Sequence, residues 1–180
     1  MATIKGEDLK GLKNLAANIE KLKKYRVKVG VLGGNYPTGE SIASVAVLHE
    51  FGSESKRTFM YKGRKITIGG VPTRSFLRMP LRLKIKTLSK MDEVDRAMLI
   101  RGLETGQVQH PLYMLGLKGE AVVQKAFDSQ GFGQWPRNIS EVYKDLKGSD
   151  IPLIDSGLLR NSISSEVYKK GEWWQVETIK

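Results

Sequence analysis

Between Glu7 and Leu32 the spacing of apolar residues changes from a helical period to a strand period, and this constrains the fold class before composition is considered. From Glu7 to Lys24, Leu9, Leu12, Leu15, Ala16, Ile19 and Leu22 recur at three- and four-residue intervals, with lysines on the other face. That pattern predicts an amphipathic helix with one buried stripe. From Tyr25 to Leu32 the period becomes two, Tyr25, Val27, Val29 and Val31 alternating with Arg26, Lys28 and Gly30, which predicts a half-buried strand. Gly33-Gly34-Asn35 and Pro37-Thr38-Gly39 then form a loop.

Further along, Ser41 to Phe51 reads as a short apolar helix that Gly52 stops. The runs Thr58 to Tyr61 and Lys65 to Ile68 flank Lys62-Gly63-Arg64 and predict a basic hairpin arm or extended loop over about 54–70. A helical region follows from Ser75 to Gly102 with a break, Pro80 sitting in its first turn, where a missing N–H costs little. Another helix opens at Pro111 and runs to about Ser129. Asp155 is placed to cap a short helix over Ser156 to Ser162, and a C-terminal hairpin of Ser165 to Tyr168 with Trp173 to Ile179 closes the chain. The expectation is one α+β domain over 1–180: an antiparallel sheet of about three to four strands packed against helices, with a projecting arm.

Length and composition fit one soluble domain with its own core, since 180 residues with 40% apolar content can bury one. No stretch approaches the ~20 apolar residues needed to cross a bilayer, and the polar start from Met1 to Lys10 argues against a secretory signal. With no cysteine there are no disulfides, thiolate nucleophiles or cysteine-based zinc sites. The sequon-like Asn138-Ile139-Ser140 is read as chance.

Charge is unevenly placed. Between Phe51 and Lys90 eleven cations face Glu54 alone, so this stretch carries +10 of the net +11. A basic segment on a nearly neutral body suits an anionic partner, phosphate above all.

Catalytic chemistry is hard to find. With only His49 and His110, a three-histidine metal site is impossible, and no His-Glu-x-x-His motif occurs. The glycines of Gly30-Val31-Leu32-Gly33-Gly34 miss the dinucleotide-binding spacing, and there is no P-loop. Asp92, Glu93 and Asp95 form a single acidic cluster, read as a solvated helix face, without the second cluster a two-metal nuclease needs. The residues therefore point to a protein that is not an enzyme, without cofactor or metal.

Two blocks carry a resemblance. The first is Ala43 to Ser53, containing Glu50-Phe51-Gly52, followed after the basic insertion by Val71-Pro72-Thr73-Arg74-Ser75-Phe76-Leu77-Arg78. It resembles the "A-x-x-x-E-F-G … I-P-x-R-P-F-L/M-R" pattern of phage virion morphogenesis proteins, the tail-completion and head–tail joining (neck) proteins of long-tailed double-stranded DNA phages. The second runs from Leu115 through Trp135-Pro136 and Lys147-Gly148-Ser149-Asp150 to Pro152-Leu153-Ile154-Asp155-Ser156-Gly157-Leu158-Leu159-Arg160-Asn161-Ser162-Ile163. It is similar to the family's "W-x-P-N … K-G-S-x-x-P-L-I-D-T-G-x-L-R-x-S-I" block. Ser156 stands where Thr is usual and Ser75 where Pro is usual.

The resemblance implies a structural subunit of the virion, at the head–tail junction or tail end, assembled in the host cytoplasm with no membrane partner. It implies a homo-oligomeric ring, commonly a hexamer, around the DNA channel. Its neighbours would be neck or adaptor proteins and tail-terminator or tail-tube proteins, with genomic DNA passing without sequence specificity. On this reading Glu50, Phe51, Gly52, Phe76, Leu77, Asp155, Gly157, Arg160 and Asn161 serve the family shape or subunit contacts. Lys56, Arg57, Lys62, Arg64, Lys65, Arg74 and Arg78 are the candidates for contact with channel DNA or an adjacent ring. The alternative is a sequence-independent double-stranded DNA-binding protein; a small hydrolase is disfavoured by the search above.

Overall fold

The computed structural model describes residues 6–137, 153 and 157–171. Among them the order is α1 (Gly6–Lys23), β1 (Tyr25–Val31), α2 (Ile42–Phe51), β2 (Arg57–Tyr61), β3 (Arg64–Ile68), α3 (Arg78–Leu88), α4 (Glu93–Thr105), α5 (Gln109–Asp128), α6 (Leu158–Asn161) and β4 (Ile163–Lys169). The fold is α+β. It forms two compact units, one drawn from 1–29, 86–119 and 165–180 and the other from 30–85 and 120–164.

The described strands pair as two separate two-stranded ladders, β1 with β4 and β2 with β3. The Lys170 amide, just past β4, donates to the Lys24 carbonyl, just before β1, so these two strands run in opposite directions. The expected strand Trp173 to Ile179 lies outside the described residues. β2 and β3 form a local hairpin whose ladder runs from Arg57 opposite Ile68 to Tyr61 opposite Arg64.

In the first unit, α5 lies close over β1 and β4 because Gly116 and Gly119, one helical turn apart, present no side chains there. A Cβ on Gly119 would come within 2.9 Å of Val29 Cγ2. The break between α3 and α4 is set by Asp92. Its carboxylate accepts from the Asp95 amide while the Asp95 carboxylate accepts from the Asp92 amide, a reciprocal cap that starts α4.

α1 departs from expectation. It is a helix over the predicted span, but its apolar stripe is not buried: Leu9, Leu12, Leu15 and Ile19 are all exposed, Leu12 by 59%. The helix is fastened by a different side. Asn18 Nδ2 donates to the Leu103 carbonyl (2.7 Å) and Lys21 Nζ to the Gly106 carbonyl (2.8 Å), both at the end of α4. Only Leu22 turns inward, onto an apolar cavity of about 240 Å³ with Met91, Met98, Leu99, Leu112 and Leu115. Amphipathic spacing identified the apolar side correctly but not what covers it.

The core of the second unit is aromatic. Phe76, Phe127 and Trp135 are buried, the two phenyl rings 5.3 Å apart and tilted, and Trp135 edge-on to Phe127 at 5.6 Å. Ile42 and Ala46 of α2, Val123 and Ala126 of α5, and Leu159 and Ile163 beyond them are buried in the same unit.

Candidate functional site

α3 begins inside the basic segment and has no acidic residue in its first turn; the Ser75 hydroxyl accepts from the Met79 amide (3.0 Å), which leaves the Phe76, Leu77 and Arg78 amides to be met from elsewhere. The acceptor comes from α2. Glu50, 5% exposed, reaches across so that Oε2 accepts from the Phe76 and Leu77 amides (3.0 Å each) and Oε1 from the Arg78 amide (3.0 Å). Oε1 also accepts from the Ser75 hydroxyl (2.6 Å) and from Arg78 Nε (3.0 Å). A carboxylate at a helix N-terminus, saturated with donors, is stabilised both by those bonds and by the helix dipole.

The chain on either side is tied to the same point. Gly52 ends α2 at φ 77°, and a Cβ there would sit 2.7 Å from Thr73 Oγ1 and 3.0 Å from the Val71 carbonyl oxygen. The Ser53 amide donates to the Val71 carbonyl, the Thr73 hydroxyl to the Phe51 carbonyl and the Arg74 amide to the His49 carbonyl. From the other motif block, the Pro136 carbonyl accepts from Arg74 Nε (2.9 Å) and Trp135 Nε1 donates to the Ser75 carbonyl (3.3 Å). Trp135-Pro136 of the second block, some 60 residues on, is thus hydrogen-bonded to the first block beside Glu50.

The structure divides the candidate cations. Arg74 is 4% exposed and committed to Pro136, so it is part of the lock and not a surface contact. Arg78 is paired with Glu50, its guanidinium 4.4 Å from the centre of the Phe51 ring. Lys56, Lys62, Arg64 and Lys65 are exposed at the base, tip and second strand of the β2–β3 hairpin, and Arg57 begins its first strand. Lys84, Lys86 and Lys90 lie exposed along and just after α3, as a solvated helix face would.

Of the shape residues, Phe76 is core, Leu77 is half-buried and Phe51 is 58% exposed beside a shallow apolar depression with Val47 and Ala46. Gly157 takes the left-handed conformation (φ 72°) that precedes α6, and its carbonyl accepts from the Asn161 amide. Arg160 pairs with Asp128 at the end of α5 (2.7 Å). Asp155 lies outside the described residues.

In the other unit the acidic cluster is organised around Lys118, whose Nζ is 2.6 Å from both Asp95 carboxylate oxygens and 3.3 Å from Asp92 Oδ2. The Asp95 amide bond, with Lys118 behind it, holds the Asp92 carboxyl below its ordinary 3.8, and the Asp95 hydrogen bond holds the Lys118 ammonium above its ordinary 10.5. A depressed carboxylate stabilises the fold above its unfolded pKa and loses that contribution as pH falls through the folded value. Asp92→Asn is therefore expected to lower the urea midpoint at pH 7 and to have a vanishing effect well below pH 3.8, measured across a pH series. An equal effect at both extremes would refute the ionic origin. Among the described residues no group of three or more His, Cys, Asp or Glu side chains is placed to hold a metal.

No protein-family model, curated protein or solved structure matches this chain.

Proposed function

We propose that this chain is a structural subunit of a long-tailed phage virion that completes the tail or neck and joins head to tail as one member of a ring around the DNA channel. Its support is the two-block resemblance together with one observation: Trp135 and Pro136 of the second block bond Ser75 and Arg74 of the first, beside the Glu50 lock. The motif side chains among the described residues serve hydrogen bonding and packing, which suits a subunit whose role is shape. Exposed Phe51 and Val47 beside the lock, and the apolar stripe of α1, offer surface for contacts between proteins. The hairpin between the two halves of the first block is the projecting arm of this reading.

Adding the purified protein to tails made without it tests the proposal. The expected result is density at the head-proximal tail end by negative-stain imaging, with head joining restored. A monomer that ignores tails but binds free duplex tightly at moderate salt would replace this reading with that of a DNA-binding protein.

A further inference from the structure

The β2–β3 hairpin has a definite form. Five residue pairs in register make a two-stranded ribbon, each strand about 17 Å long at ~3.4 Å per residue. Its base is closed by the Ser53–Val71 bridge, next to the Glu50 lock. Thr58, Met60, Lys65 and Thr67 share one face and are exposed, and the two threonine hydroxyls bond each other across the ribbon at 2.9 Å.

The tip is unusual. Lys62 and Gly63 both have positive φ, 49° and 73°, the signature of a type I′ turn. Asn or Gly fits the first of these positions; a lysine there costs on the order of 1 kcal/mol. The chain keeps a cation at the outermost point at the expense of local backbone comfort. The sequence from Ser55 to Met91 contains no acidic residue.

We propose that this ribbon is a duplex-DNA contact surface that grips phosphates without reading sequence, with Lys56, Lys62, Arg64 and Lys65 as the contacting cations. The assignment rests on the neck reading for where DNA is met. Duplex DNA fits better than an acidic protein face. The face of Thr58, Met60, Lys65 and Thr67 offers hydroxyls, a cation and a single apolar side chain in place of the apolar, aromatic centre of a protein contact, and Arg64, opposite Tyr61, adds a cation on the other face of the ribbon. Cations and hydroxyls are what phosphate contacts use, and a two-stranded ribbon matches the major groove, about 12 Å wide.

Fluorescence anisotropy with two labelled duplexes of unrelated sequence tests this, comparing the full chain with its K62Q/R64Q/K65Q variant. Four phosphate contacts predict a slope of about −3.6 in log affinity against log salt, a loss of roughly 100-fold between 50 and 200 mM. The variant should reduce the slope by about 2.7 on both sequences, with an unchanged melting curve because the altered side chains are exposed. Undetectable duplex binding by the wild type, or a slope the variant does not alter, overturns the proposal. If the variant then also fails to join tails, the ribbon's partner is a protein and the neck reading survives. A ribbon-dependent slope in a protein that ignores tails sustains the DNA contact and overturns the neck reading.

Discussion

Glu50→Ala is expected to destabilise the protein by about 3–5 kcal/mol, the size associated with removing one member of a buried, hydrogen-bonded charge arrangement. The main cause is not the ion pair. The Arg78 side chain is 53% exposed, so its pairing is screened and contributes little; Arg78→Ala should cost no more than about 1 kcal/mol. The amides of Phe76, Leu77 and Arg78 are the larger matter, because without the carboxylate they lose their acceptor at the start of α3, at about 1–3 kcal/mol for each one that water cannot reach. Glu50→Gln should fall between the two. Its oxygen can still accept, but its NH₂ would face an amide donor. Urea denaturation of the three variants checks the order. A Glu50→Ala cost equal to that of Arg78→Ala would mean that the lock is held by something other than this carboxylate.

Phe127→Ala should cost a similar amount, about 3–5 kcal/mol, by a different route. Phe127 is fully buried between Phe76 and Trp135, and truncation leaves a cavity whose lining rings lose their edge and face contacts together. Phe127→Leu keeps most of the volume and should cost less than about 1.5 kcal/mol. Phe76→Ala combined with Phe127→Ala should be less destabilising than the sum of the single variants by roughly 0.5–1.5 kcal/mol, the coupling of an aromatic pair. Strict additivity in that cycle, read from denaturant midpoints, would refute direct ring-to-ring contact.

Local signals in the sequence carried most of the elements. Period-two alternation placed β1, Pro111 marked the first turn of α5, and Lys62-Gly63 marked the hairpin turn within a residue or two. Each of those choices is made by neighbours a few residues apart. What escaped was decided at longer range. Nothing near Glu50 says that its carboxylate serves amides 26 to 28 residues away, although a helix starting in a stretch without acids was a sign that a cap had to come from elsewhere. Asp92 and Asp95 read as a solvated face because Lys118 is 23 residues and more away. Arg74 read as a surface cation because its neighbours are basic, and the carbonyl that takes it inside belongs to Pro136. The outward turn of α1's stripe had no local signature at all, since it follows from the bonds of Asn18 and Lys21 to the end of α4.

The closure between Ser53 and Val71 has an evolutionary consequence. Residues 54–70 leave and re-enter the body at one place, so their coding sequence can be exchanged, lengthened or shortened as a cassette. Doubling the length of such a closed loop adds only about 0.6 kcal/mol of closure entropy. Selection can therefore revise what this segment touches without reopening the question of whether the chain folds, and related chains should diverge faster within 54–70 than on either side of it.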